Sequence, residues 1–202
     1  MSESLNRITL LCRVALAIGG ARPNVLNEAL QECHTSERVS PREVEECILQ
    51  GIPYAGFPGA GEAFALWRQL EPEACPPPES NELSVSAAQS SADDNFNSVY
   101  GHVAEEVRGQ LRNHHAQLEK WILGFAYGEV MGRGILPLRD LEALGVASLL
   151  GQGRRAQLHS HLRGALRCGW EPAELHMLLE RLEPWCDAAI HEFACGIVAA
   201  KQ

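Results

Sequence analysis

The sequence lacks the features of several large classes of protein. Acidic residues outnumber basic ones by 26 to 17, and the formal net charge of -9 leaves no basic stripe for a nucleic-acid backbone or an anionic membrane surface. No apolar run approaches the roughly 18 residues of a spanning helix. The start, Met1-Ser2-Glu3-Ser4, has an early acid and opens no uninterrupted apolar segment of the signal-peptide kind. We therefore predict a cytoplasmic protein that binds neither nucleic acid nor membrane.

Cysteine pairs with redox spacing are missing as well. The cysteines are seven in number, widely spaced and mostly set in apolar helical sequence: Cys12, Cys33, Cys47, Cys75, Cys168, Cys186 and Cys195. An odd, scattered set of this kind is typical of reduced thiols that pack in a core. The clustered histidines His114, His115, His159 and His161 have no accompanying zinc-ligand spacing, so we predict no metal site.

Period-two alternation is almost absent, which disfavours strands, whereas helical periodicity recurs along the chain. In the first half we predict helices at 5–18, at 41–50 and at 60–70. Gly19-Gly20 ends the first helix. Residues 51–59, which are rich in glycine and proline, end the second helix before the third begins at residue 60. Ser40-Pro41-Arg42-Glu43 has the pattern of an N-cap, a proline at the first helical position and a capping-box acid. The sequence therefore predicts an all-α fold.

The second half follows a segment of different composition. Residues 71–95 are rich in proline, serine and acid and poor in large apolar side chains, which predicts a linker or surface loop. Beyond it, apolar spacing predicts helices at 99–111, 118–130, about 138–150 and 157–168. Glu171-Pro172-Ala173-Glu174 then opens a further helix as the segment at 40–43 does. We expect an N-terminal helical unit at 1–70 and a second at 96–202, folded together as one compact unit.

The two halves also resemble each other at an offset of about 131 residues. Residues 40–44 align with 171–175 in this comparison, and four upstream residues align with four downstream ones: Arg7, Val14, Ala15 and Gly19 with Arg139, Val146, Ala147 and Gly151. Two helical repeats that face each other bury both of their apolar faces. The histidines His159 and His161 occur only in the second copy, so we expect function to lie there.

Several strings in the second half resemble the carboxymuconolactone decarboxylase family, whose fold is shared by the alkylhydroperoxidase D proteins. They are Ser98-Val99-Tyr100-Gly101-His102-Val103, His115-Ala116-Gln117-Leu118-Glu119-Lys120-Trp121-Ile122, Tyr127-Gly128, Leu138-Arg139-Asp140-Leu141 and Gln157-Leu158-His159-Ser160-His161-Leu162-Arg163-Gly164-Ala165-Leu166. The Gln-Leu-x-x-His-x-x-Gly-Ala-Leu string is the most specific of these. The resemblance covers about half of the chain well and implies an all-α fold that assembles into trimers or hexamers.

The resemblance also implies what chemistry to expect. The peroxidase branch of the family uses Cys-x-x-Cys ahead of a histidine, but here that position holds Arg154-Arg155-Ala156-Gln157. Dithiol peroxidase activity is therefore not expected. The decarboxylase-like arrangement remains, in which a histidine transfers a proton while arginines hold a small carboxylated substrate without metal or organic cofactor.

Particular residues take these roles. His161 is the predicted proton-transfer group, because the pKa of an imidazole ordinarily lies near neutrality. Asp140 is its predicted orienting acid, with Glu142 as the alternative, because this chain has Arg-Asp-Leu where the family has Arg-Glu-Leu. The guanidinium fork suits carboxylates, so the predicted substrate-binding residues are Arg139, Arg154, Arg155 and Arg163, together with His159.

Two other interpretations stay open. The chain is a non-catalytic helical oligomer if His161 is a structural histidine and Asp140 only caps a helix N-terminus. Alternatively, an unpaired cysteine such as Cys168, seven residues past His161, supports thiol-based antioxidant activity.

Overall fold

The computed structural model describes residues 3–72 and 85–200, and within those ranges it contains helices and no strand. The predicted all-α class is confirmed. The α-helices are α1 (Glu3–Gly19), α2 (Pro23–Thr35), α3 (Pro41–Gln50), α4 (Ile52–Leu70), α5 (Val85–Tyr100), α6 (Ala104–His114), α7 (Ala116–Trp121), α8 (Leu138–Gln152), α9 (Arg155–Arg167), α10 (Pro172–Leu182) and α11 (Ala188–Ala199). A π-helix, Ile122–Val130, follows α7.

Helices α1 and α8 form the centre of the bundle. Every residue of α8 from 140 to 150 is buried, because α1, α3, α4, α9 and α11 surround it. The α1 and α8 backbones approach closely where each helix has a glycine. A Cβ at Gly19 would collide with the backbone of Ser148, and one at Gly151 with that of Leu16. The buried apolar side chains of both halves form one continuous cluster.

Equivalent ion pairs occur in the two halves. Arg7 of α1 binds Glu43 of α3, with Nε 2.7 Å from Oε1, and Arg139 of α8 binds Glu174 of α10, with Nη2 2.6 Å from Oε2. The residues of one pair lie about 131 positions after those of the other, which is the offset of the predicted repeat. A duplication accounts for these matched contacts, and it stays a prediction.

The local signals for helix starts are confirmed. Ser40 caps α3 in a capping box with Glu43, and Pro41 and Pro172 occupy the first turns of α3 and α10. At the other end of α8, Gly153 adopts a left-handed conformation with φ 70°, as a C-terminal glycine commonly does.

Two expected helix boundaries are wrong. α3 ends at Gln50 as predicted, but the next helix begins earlier than residue 60: α4 begins at Ile52 and is kinked at Gly56, where φ is 73°. Pro53 lies in the first helical turn, where its missing N–H costs no hydrogen bond. The helix predicted at 99–111 is divided at Gly101, which has φ 58° and starts a 3-10 turn.

The predicted linker at 71–95 extends too far. Residues 85–95 belong to α5, whereas residues 73–84, including Cys75, lie outside the described residues. Apolar positions such as Ala92 and Phe96 are buried, and α5 packs against the π-helix and α9. Neighbouring helices thus stabilise a segment whose composition alone predicts no helix. In the described ranges, no helix is long and apolar enough to cross a membrane.

Candidate active site

A buried carboxylate on α8 lies beside a histidine on α9. Glu142 has 0% of its surface exposed, and its Oε2 is 3.1 Å from Nδ1 of His161. A buried carboxylate is costly unless a donor binds it, so Nδ1 is the protonated ring nitrogen in this pair. The second ring nitrogen, Nε2, then carries the lone pair. This is the arrangement in which an acid orients a histidine that acts as a base.

Two glycines leave the space in which these side chains meet. A Cβ at Gly164 of α9 would collide with the Glu142 carboxylate. A Cβ at Gly145 of α8 would lie 2.5 Å from the Tyr54 hydroxyl and 3.1 Å from Nδ1 of His161. Any larger residue at these positions pushes the acid, the imidazole or the phenol away. The glycine of the Gly-Ala-Leu string therefore has a definite role in the site.

His161 lines a cavity of about 540 Å³. The size is that of a site for a small organic molecule. Its polar lining residues include Gln50, Tyr54, Tyr100, Tyr127 and His161. Its apolar lining residues include Leu111, Leu118, Ile122, Ala126, Met131 and Leu149. Exposed lining residues mark its mouth, among them His114, Arg154 and Gln157.

Three phenols stay protonated in this cavity at neutral pH. Burial raises the pKa of Tyr54, Tyr100 and Tyr127, and the charge of Glu142 raises each of them further. Both effects disfavour the phenolate, because it is a charged form placed near another negative charge. The three side chains are therefore available as hydrogen-bond donors.

The position beside His161 that was expected for Asp140 is occupied by its alternative, Glu142. Asp140 instead accepts a hydrogen bond of 2.7 Å from Nη1 of Arg7, on the side of α8 that faces α1. Residues two apart on a helix point to different sides, so only one of these two acids faces α9. The structure therefore brings His161 together with Glu142.

The predicted substrate-binding residues are dispersed. Arg154 lines the cavity. Arg139 binds Glu174 and stacks on Trp170, and Arg155 lies over Phe193 and donates to the Ala189 carbonyl. His159 is exposed and Arg163 is half-buried, and neither lines this cavity. Among the predicted cations, Arg154 is therefore the one placed to contact a ligand there.

Sequence reasoning missed the tyrosines and Gln50. Tyr54 comes from α4, Tyr100 from the end of α5 and Tyr127 from the π-helix, so no local pattern links them. One signal was present: the chain has 3 tyrosines in all, and each of them lines the cavity. Tyrosine is rare in this chain, and Tyr100 and Tyr127 lie in strings that resemble the family. These two features together would have indicated the tyrosines.

The cysteines among the described residues do not line this cavity. None of the described lining residues is a cysteine, and burial together with the charge of Glu142 raises the pKa of Cys168 to about 12. A thiol with that pKa is almost entirely un-ionised at neutral pH, and the thiolate is the nucleophile. Among residues 3–72 and 85–200, no three metal-binding side chains are grouped as a metal site requires.

Comparisons with known proteins find distant relatives. The chain is similar to Peroxisomal protein 2 of Schizosaccharomyces pombe, at 27% identity over 158 residues that cover 73% of this chain and 71% of the relative. It is also similar to Peroxisomal protein 2 of Saccharomyces cerevisiae, at 23% identity over 195 residues, or 82% and 69% of the two chains. No family profile and no solved structure matches it. The resemblance to carboxymuconolactone decarboxylases therefore stays a prediction.

Proposed function

We propose that this protein is a cofactor-free lyase or isomerase of carboxymuconolactone decarboxylase type, which transfers a proton through His161 on a small carboxylated substrate. One observation carries the proposal. His161 lines a cavity while its Nδ1 is held 3.1 Å from the fully buried carboxylate of Glu142. A merely structural histidine needs neither a cavity beside it nor a buried acid behind it.

The chemistry divides into two steps. In the first step, the C–C bond to the carboxylate breaks, carbon dioxide leaves, and the electron pair moves onto an adjacent carbonyl as an enolate. Before the second step, Nε2 of His161 takes up a proton from solvent. The resulting imidazolium then gives that proton to the enolate carbon and returns to the neutral form. An isomerase differs only in the first step, where neutral His161 removes a proton from carbon. The carboxylate of Glu142 stabilises the imidazolium in either case.

Arg154 is the proposed contact for the substrate carboxylate. It is exposed at the cavity mouth, whereas His161 lies further in with 13% of its side chain exposed. A guanidinium at the entrance binds the carboxylate and leaves the rest of the molecule inside. Its replacement by glutamine should raise KM much more than it lowers kcat.

The test uses two histidines of the same helix. A panel of β-keto acids and unsaturated lactone carboxylates is incubated with the protein, and product formation is followed by NMR. We expect His161→Gln to lower the rate by about 10²- to 10⁴-fold, the usual contribution of general acid–base catalysis. His159→Gln is the matched control, because His159 is exposed outside the cavity. Equal rates in the two variants contradict the proposal.

The second candidate function is that of a non-catalytic homo-oligomer, a trimer or hexamer as the family resemblance implies. Large apolar side chains favour an assembly surface: Phe57 is 70% exposed and Trp121 65% exposed. Phe57 lies against Phe125, with ring centroids 6.1 Å apart. Analytical ultracentrifugation of the wild type and of Trp121→Glu tests this assembly. Oligomers without activity on any panel compound support the second candidate.

The location of the protein remains a separate proposal. The cytoplasm is the location predicted from the sequence, whereas both relatives are named as peroxisomal proteins, which makes the peroxisome the alternative. Imaging of fluorescent fusions at either end of the chain, beside a peroxisomal marker, distinguishes the two locations.

A further inference from the structure

Gln50 brings a buried polar side chain to the wall of the cavity. It is the last residue of α3, it is only 2% exposed, and it lines the cavity of about 540 Å³. Its Oε1 is buried as well, and no described residue donates a hydrogen bond to that atom. A buried acceptor without a donor costs free energy, and native proteins contain few of them. The amide oxygen of Gln50 therefore serves something other than the stability of the fold.

The junction between α3 and α4 places Gln50 on the same stretch of cavity wall as His161. Gly51, between the two helices, keeps helical dihedral angles of φ -68° and ψ -22°, and its carbonyl accepts a hydrogen bond of 3.1 Å from the Tyr54 N–H. Residues four apart on a helical backbone share a face, so Gln50 and Tyr54 lie on one side. The Tyr54 ring packs edge-on against that of His161, with ring centroids 5.6 Å apart. The amide, the phenol and the imidazole thus follow one another along the wall.

The groups along this wall call for a hydrogen-bond donor. The Glu142 carboxylate is fully buried, and its Oε2 lies 3.1 Å from Nδ1 of His161, while no described residue donates to its Oε1. With Nδ1 protonated, Nε2 of His161 is a further acceptor. Against the Gln50 oxygen, a negatively charged ligand group is repelled, whereas an O–H or N–H group is attracted. The imidazolium that forms during turnover would repel an ammonium, so an uncharged hydroxyl fits this wall best.

We propose that Oε1 of Gln50 accepts a hydrogen bond from a hydroxyl group of the substrate, so that Gln50 selects hydroxylated molecules. The inference rests on the proposed function for the rest of the substrate, and it adds a class: a small carboxylate that also bears a hydroxyl. Arg154, exposed at the mouth, binds the carboxylate, and Gln50, deep in the cavity, binds the hydroxyl. A molecule without the hydroxyl leaves the amide oxygen unpaired. Sites built to hydrogen-bond a substrate group reject analogues that lack it for this reason.

Phenol and toluene test this site without any turnover, because they have nearly the same shape and differ in one hydroxyl. NMR titration gives the dissociation constant of each. We expect Gln50→Met, which removes the acceptor and keeps the side-chain length, to weaken phenol binding about 5- to 100-fold and to leave toluene binding unchanged. Gln157→Met is the matched control, because Gln157 lines the same cavity at its exposed mouth. Gln50→Glu should keep the preference for phenol, because burial raises the pKa of an acid there and the protonated carboxyl retains a carbonyl oxygen.

The wild type alone provides a second readout. Phenol, but not toluene, should shift the NMR signals of the Gln50 side-chain amide, which are assigned by their absence in Gln50→Glu. Unshifted signals, undiminished phenol binding or an equal loss of both probes in Gln50→Met, or no binding of phenol by the wild type each overturns the proposal. So does tighter binding of benzylamine, a cation at neutral pH, than of phenol. His161→Gln keeps Gln50 and should still bind phenol, so failure of proton transfer and failure of the hydroxyl site are distinguishable.

Discussion

A glycine-to-alanine exchange at Gly145 tests the geometry of the site through stability. The new Cβ would lie 2.5 Å from the hydroxyl of Tyr54 and 3.1 Å from Nδ1 of His161, so both side chains have to move. Overpacking of this kind costs about 1–3 kcal/mol. Replacement of a helix-interior glycine by alanine contributes about 1 kcal/mol in the opposite direction, which obscures the cost in a single variant.

Gly61→Ala in α4 removes this ambiguity, because a Cβ at Gly61 meets nothing within 4 Å. Both variants gain the helix propensity, so the difference between them reports the packing alone. For a chain of 202 residues, roughly 2–4 °C per kcal/mol gives a melting temperature about 2–12 °C lower for Gly145→Ala than for Gly61→Ala. Scanning calorimetry measures it. Equal melting temperatures would refute the close approach of Tyr54 and His161 around Gly145.

Three further predictions concern titratable groups. In Glu142→Gln the pKa of Tyr54, Tyr100 and Tyr127 should fall, because the carboxylate charge that raises all three pKa values is gone. Absorbance at 295 nm follows the ionisation of the tyrosines. An unchanged titration curve contradicts this prediction. The pKa of Cys168 is raised from 9.0 to about 12, so this thiol should react with iodoacetamide about 10³-fold more slowly than an ordinary thiol. Peptide mass spectrometry measures the labelling rate. Rapid labelling would restore the hypothesis of thiol-based activity. Burial raises the pKa of Glu43, but hydrogen bonds from Ser40 and Arg7 outweigh burial. The net result is that Glu43 has a pKa below 4.5. Its contribution is therefore present above pH 4.5 and lost as the pH falls through the lowered value, and Glu43→Gln should flatten the acid side of the stability curve.

Local signals in the sequence were sufficient for most of the helices. The capping box at Ser40 and Glu43 acts within one turn, so its consequence does not depend on distant residues. The prediction for residues 51–59 was wrong about where the next helix begins, because α4 begins at Ile52 and not at residue 60. Their glycines and prolines allow a break, but Pro53 lies where a helix tolerates proline, and a kink at Gly56 is enough. The helix at 85–95 was unpredictable from composition, because its stability comes from the π-helix and α9 beside it.

The site was only half predictable. His161 stands in a recognisable string, whereas the choice between Asp140 and Glu142 depends on the rotation of α8 about its axis. That rotation places Asp140 against Arg7, which comes from the other end of the chain. The phenols come from elements that meet only in the folded bundle. Long-range packing of this kind leaves no trace in local periodicity.

The most direct test of the account is chemical rescue of the missing imidazole. In D₂O, the wild type should place deuterium on the reacting carbon of its best panel substrate, and His161→Ala should lose this exchange. The cavity of about 540 Å³ leaves room for free imidazole beside Glu142, so added imidazole should restore exchange in His161→Ala but not in the double variant with Glu142→Gln. Deuterium incorporation by His161→Ala at the wild-type rate without imidazole would contradict proton transfer through His161.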